Sequence, residues 1–552
     1  MRIRRNDYGE APSGPWEPAL TVTVVIPAHD RQSTLDLTLA ALSAQSYPPE
    51  LLDVIVVDDG SAPALRIPPL APGRTRIIPT RSGGWGRACA VQTGIEAATG
   101  EVIFVLDSDM VPHREHVEAH MRWHHQADYL VVLGWIDFTA DTALPSPASV
   151  KEGLRAGKED ALFTLSEQRH DWAEQIVEEH DGLRTAPSAL ASRVHVGATA
   201  SYPAALLREI GGMDTTLILA EDTELGYRLT QAGAVFVPEP AARAWHVGLP
   251  TAMRDWAELK RYNDPFVADR VPYRRYLRAE PGRQWLVPYV DAFVEAAGYE
   301  DVRATVDGLL SCSLPDVRVT VTGPWSHLTA GRRSPLRDPD LDLRLIQATF
   351  QHDARVRLAP PGEHASRAPF RLHCPPGWVP GGDAVERLVD HLEESDGGAL
   401  HVVLAETATG VIGARLERTA ALSRVARVST PGEHPDDVLD EVFGLEWVDG
   451  LEFGFARRPR VYPPRRRPVP EIQLMAAAHE REVARLRRRT AALKAEVTQL
   501  RREAAKGRRD SARWRDKAEH WRREAVQLSR ASDRTVIKRA VRRMRNLAFP
   551  DP

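Results

Sequence analysis

Residues 21–250 of the 552-residue chain predict an α/β fold built on an open, mostly parallel sheet. Short runs of β-branched and apolar residues at 21–27, 54–57, 77–78 and 102–106 have the length and composition of buried strands. Segments with helical spacing of apolar residues lie between them. Strands that alternate with helices favour parallel pairing, so we expect one sheet with helices packed on its faces.

The first strand is expected to end at Pro27, because proline fixes the backbone and cannot continue the ladder. Leucines at positions 35, 39 and 42 then predict a helix, which the Tyr47-Pro48-Pro49 segment ends. The second strand leads into the acidic turn Asp58-Asp59-Gly60-Ser61. This layout of strand, helix, strand and acidic turn is typical of a nucleotide site at the carboxyl edge of a sheet.

The fourth predicted strand ends in two acids, Asp107 and Asp109, which flank Ser108. A glycine-rich loop at 82–86 and a helix that ends near Gly94 or Gly100 precede it. Mg²⁺ and Mn²⁺ prefer carboxylate oxygens, and an ion held by one or two of them keeps positions free for a diphosphate. The pattern alone is weak, because aspartate also favours turns after strands.

Together these blocks resemble the family 2 glycosyltransferases of the GT-A fold. The resemblance spans Thr21 to Gly248 and is carried by VTVVIPAHDRQSTLDLTLAALSAQSYP, VIVVDDGS, GWGRACAVQTGIEAATGEVIFVLDSD and GGMDTTLILAEDTELGYRLTQAG. It implies a Rossmann-like nucleotide-binding domain. It also implies that the Pro27-Ala28-His29 turn and Asp59 contact the base and ribose, and that Asp107 and Asp109 hold the donor ribose and a divalent metal, Mg²⁺ or Mn²⁺.

Asp222 is the general base that the resemblance implies for a single-displacement, inverting transfer. An acceptor hydroxyl must lose its proton as it attacks, and a carboxylate at the far face of the sugar can take that proton. The helical pattern that begins at Glu224 places Asp222 near a helix N-terminus. The alternative for Glu221-Asp222 is a helix cap with a solvated acid beside it.

Three further residues have two interpretations each. Arg228 pairs with Glu224 at helical i, i+4 spacing or faces the diphosphate. His246 is a third metal ligand, as in some relatives, or a histidine satisfied by a backbone carbonyl. His29 and His195 have ordinary explanations and are left out of the metal set.

The chain departs from the family pattern at Ala90-Val91-Gln92, where many relatives carry Ala-Arg-Asn. Arg87 lies one helical turn earlier and is a candidate to replace the missing phosphate or base contact. The alternative is a solvated arginine at a glycine-rich helix start.

The sequence predicts where the remaining parts of a transferase lie. The polar segment from about Ala140 to Arg193 sits where this fold inserts acceptor-binding elements. Residues 251–283 are rich in aromatic and basic side chains and form a lid over the donor or a packed connector. Residues 1–20 are an N-terminal tail.

Chain length predicts two or more domains. The three cysteines are scattered and form no disulfide framework, which fits a reducing cytosol. The sequence has no run of about eighteen apolar residues. We therefore expect a cytoplasmic protein, with the inner membrane face as the alternative location, and the Ala, Arg, Gly and Pro content hints at a bacterial source.

Residues 284–460 repeat features of the first domain weakly. Trp285–Tyr289 resembles the first strand, and 316–323 matches the spacing of 53–60, but Thr322 and Gly323 replace the acids of the turn. Cys374 lies where Asp107 would be. We expect a degenerate, non-catalytic second copy of the nucleotide-binding fold, with an unrelated α/β domain as the alternative.

Composition changes after a Pro/Arg linker at 461–470. From Glu471 to the end, 23 Lys and Arg face 11 Asp and Glu, whereas the rest of the chain has 49 against 65. Apolar residues at alternating a and d spacing predict a short basic coiled coil over 471–530, followed by a basic tail at 531–552. Homodimerisation or docking on the acidic body is favoured first, a membrane surface second, and nucleic acid is unlikely.

The sequence thus indicates a metal-dependent, inverting glycosyltransferase. It would move a sugar from a nucleoside-diphosphate sugar to a hydroxyl acceptor, a glycan or lipid-linked glycan, in cell-surface polysaccharide or glycoconjugate assembly. One alternative is a sugar nucleotidyltransferase, although Ala28-His29-Asp30-Arg31 lacks the expected glycine-rich loop. The other is a non-catalytic assembly scaffold, which has no need for four acids at one edge.

Overall fold

Strand β1 (Val22–Ala28) lies inside an eight-stranded mixed sheet in the first half of the molecule. The computed structural model describes residues 1–10, 14–141, 143–167, 171–248, 256–278, 283–331, 334, 337–363, 366–408, 410–458 and 520. Residues 1–458 form one compact unit. The predicted linker, coiled coil and basic tail lie outside the described residues, His520 excepted.

The other strands of the first sheet are β2 (Leu52–Asp58), β3 (Thr75–Pro79), β4 (Val102–Leu106), β5 (Met110–Pro112), β6 (Leu130–Thr139), β7 (Thr199–Pro203) and β8 (Val235–Val247). Their order is β3-β2-β1-β4-β7-β6-β8-β5. Strands β1 to β4 run parallel, β7 is antiparallel to both β4 and β6, and β5 is antiparallel to β8. The predicted α/β fold is confirmed, with its four strands at the expected positions.

Helices cover both faces of this sheet. They are α1 (Gln32–Leu42), α2 (Arg87–Ala97), α3 (His116–His124), α4 (Pro147–Arg155), α5 (Asp171–Glu179), α6 (Ser188–Ala191), α7 (Ala204–Glu209), α8 (Glu221–Gln231) and α9 (Trp256–Arg270). Successive strand residues point to opposite faces, so Val24 joins the core under α1 while Val25 joins the core under α2. Two covered faces explain why these strands appear in the sequence as continuous apolar runs.

A second sheet follows, made of β9 (Val290–Glu295), β10 (Val317–Thr322), β11 (Val356–Ala359), β12 (Phe370–His373), β14 (Ala399–Thr407), β15 (Gly410–Arg418) and β16 (Leu445–Asp449). Its order is β11-β10-β9-β12-β15-β14-β16. Strands β13 (Trp378–Val379) and β17 (Ala456–Arg457) form a separate antiparallel pair. The helices are α10 (Tyr299–Leu310), α11 (Leu341–Phe350), α12 (Ala384–Glu394), α13 (Thr419–Val428) and α14 (Pro435–Val442).

The second sheet repeats the topology of the first for seven of its eight strands, all except the edge strand β5. The order β11-β10-β9-β12-β15-β14-β16 corresponds to β3-β2-β1-β4-β7-β6-β8, and each neighbouring pair has the same relative direction. The expected second α/β domain is confirmed. Its first strand begins at Val290, so the sequence echo at Trp285–Tyr289 was placed five residues too early. Cys374 follows β12 as Asp107 follows β4.

The N-terminal residues and α13 join the two halves. Arg424 on α13 is 1% exposed and donates to the carbonyl oxygens of Gly233 at 2.5 Å, Ala234 at 3.1 Å and Ile3 at 3.1 Å. Burial lowers the pKa of Arg424 to about 10, and the guanidinium still carries its charge at neutral pH. Part of the expected N-terminal tail therefore belongs to the packed body. Among the described helices, none combines the length and hydropathy needed to cross a bilayer.

Candidate active site

The carboxyl ends of β1, β2 and β4 meet at one edge of the first sheet. Ala28 is in register with Asp58, and the backbone N–H of Asp59 donates to the Ala28 carbonyl at 2.9 Å. One ring nitrogen of His29, Nδ1, bonds the Asp59 carbonyl at 2.9 Å. The Pro27-Ala28-His29 turn and the acidic turn after β2 therefore form one rim.

The two acids of that turn have different surroundings. The Asp58 carboxylate accepts hydrogen bonds from the backbone N–H groups of Ser61 at 2.9 Å and Leu65 at 3.0 Å. Burial raises the pKa of Asp58, but these hydrogen bonds outweigh it and hold the pKa below its usual value. Asp59 instead accepts from the N–H of Gly86 at 2.8 Å, which ties the rim to the glycine-rich loop.

Arg87, the first residue of α2, connects three parts of the site. Its Nε and Nη2 donate to Asp107 Oδ1 at 3.0 and 2.8 Å, its Nη1 donates to Glu221 Oε1 at 3.0 Å, and its Nη2 donates to the Gly197 carbonyl at 2.6 Å. Burial lowers the pKa of Arg87, but the charges of Asp107 and Glu221 raise it above the usual value. The alternative of a solvated arginine is wrong.

Asp109 and His246 face each other because Met110 on β5 is in register with His246 on β8. The distance from His246 Nε2 to Asp109 Oδ1 is 3.7 Å. His246 Nδ1 bonds the Gly248 carbonyl at 2.9 Å; since a carbonyl only accepts, Nδ1 donates this hydrogen bond and Nε2 is the ring nitrogen that faces the carboxylate. Burial raises the pKa of Asp109, against the opposing charge of His246.

This pair has the chemistry of a partial cation site. A carboxylate and a histidine ring nitrogen face each other, and a carbonyl orients the ring as outer partners do in metal sites. Within the described part of the chain, no group of three or more His, Cys, Asp or Glu side chains could hold a metal ion alone. Mg²⁺ is commonly bound through one or two carboxylates together with substrate phosphates and water, so the Asp109 carboxylate is a candidate ligand and the His246 nitrogen a second one. The Asp107 carboxylate, by contrast, is paired with Arg87.

Asp222 is the second residue of α8, and the His195 side chain bonds its backbone carbonyl. His195 Nδ1 bonds the Asp222 carbonyl at 2.8 Å, while His195 Nε2 bonds the Tyr202 hydroxyl at 2.7 Å. Burial lowers the pKa of His195, so the ring is neutral and accepts the Tyr202 proton at Nε2. The Asp222 carboxylate accepts from the N–H of Thr223 at 2.7 Å. His195 thus orients the start of α8.

Glu221 is the site residue that sequence reasoning missed. The alternative interpretation of Glu221-Asp222 was a helix cap with a solvated acid, but Glu221 is 6% exposed and paired with Arg87. Burial raises its pKa and the Arg87 charge opposes that shift. Since 134 positions separate the two partners, no local pattern signals the contact.

Of the two alternatives for Arg228, the structure shows the pair with Glu224. Its Nε and Nη2 each donate to the Glu224 carboxylate at 2.6 Å, and Nη1 donates to the Ile210 carbonyl at 2.8 Å. All three nitrogens are thus used in contacts with Glu224 and Ile210. Gln92, at the departure from the family pattern, accepts from the N–H of Met213 at 2.8 Å and supports the loop before α8.

A cleft lies next to the segment that precedes β7. Its lining comes from the middle of β6, from α5, from the segment before β7 and from β8: Leu133, Gly134, Trp135, Ile136, Ala173, Glu174, Val177, Val194, Val196 and Pro238. Val196 is next to Gly197, whose N–H lies 3.4 Å from Asp222 Oδ2. Helix α5 belongs to the segment where acceptor-binding elements were expected.

An α/β sheet with acids and a glycine-rich loop at its carboxyl edge defines a class of nucleotide-binding domain. Residues 23–168 match the model of the family described as Glycosyl transferase family 2. Residues 23–168 therefore form a family 2 glycosyltransferase domain, as the sequence blocks indicated.

Named relatives agree with the family. Chondroitin synthase from Pasteurella multocida (strain Pm70) is 25% identical over 359 residues, 61% of this chain and 35% of the relative. Pre-mycofactocin glycosyltransferase from Mycobacterium tuberculosis (strain CDC 1551 / Oshkosh) is 30% identical over 256 residues, 46% of this chain and 47% of the relative. The chain thus spans less than half the length of these curated relatives.

A similar solved structure is the mannosyltransferase PcManGT from Pyrobaculum calidifontis in complex with GDP-Man and Mn²⁺. It is 18% identical with a TM-score of 0.29, and the match covers 49% of this chain and 69% of that chain.

Proposed function

We propose that the protein transfers a sugar from a nucleoside-diphosphate sugar to a hydroxyl acceptor, with inversion and with a divalent cation. The observation that supports this most is the Arg87 bridge. One guanidinium bonds both Asp107, after β4, and Glu221, which directly precedes Asp222. The donor-side acid, inside the stretch 23–168 that matches the family model, and the candidate base, which lies beyond that stretch, are therefore linked through a single side chain.

The donor nucleotide would lie on the rim formed by Pro27, Ala28 and Asp59. Asp59 is tied to the glycine-rich loop, so base and ribose contacts would come from a preorganised edge. Asp107 would face the donor ribose while Arg87 holds its carboxylate in place. Arg87 itself would add positive charge near the diphosphate. A direct phosphate contact by Arg228 is less supported, since Glu224 and Ile210 occupy its guanidinium.

Asp109 and His246 would hold the divalent cation, Mg²⁺ or Mn²⁺, with Asp107 nearby. When bound, the cation supplies positive charge that offsets the charge developing on the leaving diphosphate. The chain's own contribution is orientation, because the Gly248 carbonyl fixes the His246 ring and the β5–β8 register fixes its distance from Asp109.

Asp222 would act as general base. Its carboxylate lies in the first turn of α8, where the helix dipole favours negative charge, and His195 holds the local backbone. An acceptor hydroxyl in the neighbouring cleft would pass its proton to Asp222 as it attacks the anomeric carbon. The relatives' names support a glycan acceptor, and cell-surface polysaccharide or glycoconjugate assembly is the process we propose.

The test is a donor-hydrolysis and transfer screen over UDP-, GDP- and dTDP-sugars, with and without Mn²⁺ or Mg²⁺. We expect nucleotide release from at least one donor, dependent on metal, and opposite anomeric configurations in donor and product by NMR. Asp437→Asn, which changes an exposed acid on α14, is the matched control and should behave as the wild type. Failure of every donor to bind or turn over with metal present would refute the proposal.

A further inference from the structure

The second sheet carries a polar row on the face opposite its apolar core. Trp447 on β16, His401 on β14 and Arg415 on β15 are in register across three neighbouring strands. Residues that alternate with them, such as Val402 and Leu416, point into the core beneath α10 and α12. Nothing in the proposed donor site uses this row.

The polar side chains of the row form one network. Arg415 Nε donates to Glu417 Oε1 at 2.7 Å, and its Nη2 donates to Asp436 Oδ1 at 2.6 Å. Its Nη1 lies 2.7 Å from His401 Nε2. Asp436, at the start of α14, thus fixes the orientation of Arg415 from the side. The contacts preorganise planar donor and acceptor groups before any ligand arrives.

Trp447 is the aromatic member of the row. The His401 ring stacks on it with centroids 4.3 Å apart and planes at 23°, yet Trp447 remains 63% exposed. Val411, on the same face of β15, is 51% exposed, and Gly413 between Val411 and Arg415 has no side chain to raise the surface. We name Trp447, His401, Arg415, Asp436 and Val411 the sheet platform.

The charges and the area of the sheet platform indicate its ligand. Arg415 is balanced by Glu417 and Asp436, so there is no excess of positive charge for a nucleic acid or a phosphate-rich partner. One indole and one valine provide too little apolar surface for the buried core of a stable protein interface. A sugar offers an apolar C–H face for an aromatic ring and hydroxyl groups for neighbouring polar side chains.

We infer that the sheet platform binds a saccharide segment of the acceptor glycan, remote from the site of transfer. This inference rests on the proposed function, because a glycan acceptor is what a transferase would need to hold. The second half of the chain would then be a glycan-binding domain whose fold has lost the acids of the donor edge, as Thr322, Gly323 and Cys374 at the corresponding positions indicate.

The test is calorimetry of the full chain with a panel of hexasaccharides derived from dextran, chitin, hyaluronan and chondroitin. The variants are Trp447→Ala, Trp447→Phe and the control Leu286→Ala, which removes a 57% exposed apolar side chain before β9. We expect at least one saccharide to bind the wild type. Trp447→Ala should weaken it about tenfold or more, Trp447→Phe less, and Leu286→Ala not at all. Thermal unfolding confirms that each variant is folded.

Donor hydrolysis, measured on the same proteins, separates this inference from the proposed function. Unchanged donor hydrolysis with weakened saccharide binding in Trp447→Ala supports the sheet platform. Saccharide binding without donor hydrolysis by the wild type would refute only the proposed transfer. The platform is refuted if the wild type binds no saccharide, if Trp447→Ala binds as well as the wild type, or if sedimentation shows that Trp447→Ala only dissociates a dimer.

Discussion

Arg87 and Glu221 form an ion pair with Nη1 and Oε1 3.0 Å apart, and the same guanidinium donates twice to Asp107. Two helix starts, those of α2 and α8, are thereby fixed against the end of β4. Glu221 is 6% exposed, so its charge depends on this partner. The pair therefore sets the distance between the donor-side acids and Asp222.

Arg87→Ala is predicted to destabilise the fold by about 3–5 kcal/mol, because it leaves the buried Glu221 carboxylate without its cation. Chemical denaturation measures the loss. Arg81→Ala is the matched control, since Arg81 and its partner Glu96 are both about half exposed and 3.4 Å apart, and it should cost less than about 1 kcal/mol. Equal losses in the two variants would mean that the bridge has no structural role.

Asp109→Ala and His246→Ala are predicted to weaken metal-dependent donor binding by about 10–100-fold or more. Both groups face the same space, and either change removes a candidate ligand. Calorimetry with a nucleotide and Mn²⁺ reports the effect, and His327→Ala, at an exposed histidine of the second half, provides the control. If His246→Ala binds Mn²⁺ and nucleotide as the wild type does, His246 is not a metal ligand and has only the structural role of its hydrogen bond to Gly248.

Asp222→Asn is predicted to keep donor and metal binding but to lose transfer by about 10²–10⁴-fold. The amide can still accept from Thr223 through its oxygen, so the helix start should be preserved. A retained donor affinity with a fall in kcat separates loss of the base from loss of the site. Transfer at the wild-type rate in this variant would remove Asp222 from the chemistry.

The strands of the first sheet could be predicted because their burial is local and complete. Val24 and Val25 point to opposite faces and are both fully buried. A continuous run of apolar residues in the sequence therefore predicts a strand that is covered on both faces. Asp107 and Asp109 could be placed at the sheet edge for the same reason, because they are the first and the third residue after the end of β4.

Other parts of the site could not be predicted, because they depend on contacts between distant residues. His195 acts through the Asp222 carbonyl, 27 positions away, and a lone histidine before a strand gives no sign of it. The bridge from Arg87 to Glu221 is similarly hidden. In the second half, the Trp285–Tyr289 segment resembled β1 only in composition, and the pairing partners of Val290 fixed the actual strand.

Stability is predicted to fall with acid, through three histidines on one face of α3. His116, His120 and His124 are buried beneath the sheet, where His120 Nδ1 and His124 Nε2 bond the Ser201 hydroxyl at 2.8 and 2.7 Å. Burial lowers the pKa of His116 and of His124 to about 3, and that of His120 well below the usual value. All three are therefore neutral in the folded protein.

The unfolded chain protonates these rings below a pH of about 6.5, whereas in the folded chain His116 and His124 stay neutral down to about pH 3 and burial also lowers the pKa of His120. Stability contributed by the neutral rings is thus present above pH 6.5 and lost progressively as the pH falls toward 3. When the pH falls from 7.5 to 5.5, the free energy of unfolding should decrease by about 1.4 kcal/mol for each ring. Chemical denaturation at the two pH values measures this decrease. His116→Gln keeps polar atoms for Thr199 and the Arg243 carbonyl and should reduce the acid-induced loss by about that amount. The control His327→Gln should leave the loss unchanged, and an undiminished loss in His116→Gln would show that His116 is not the group that titrates.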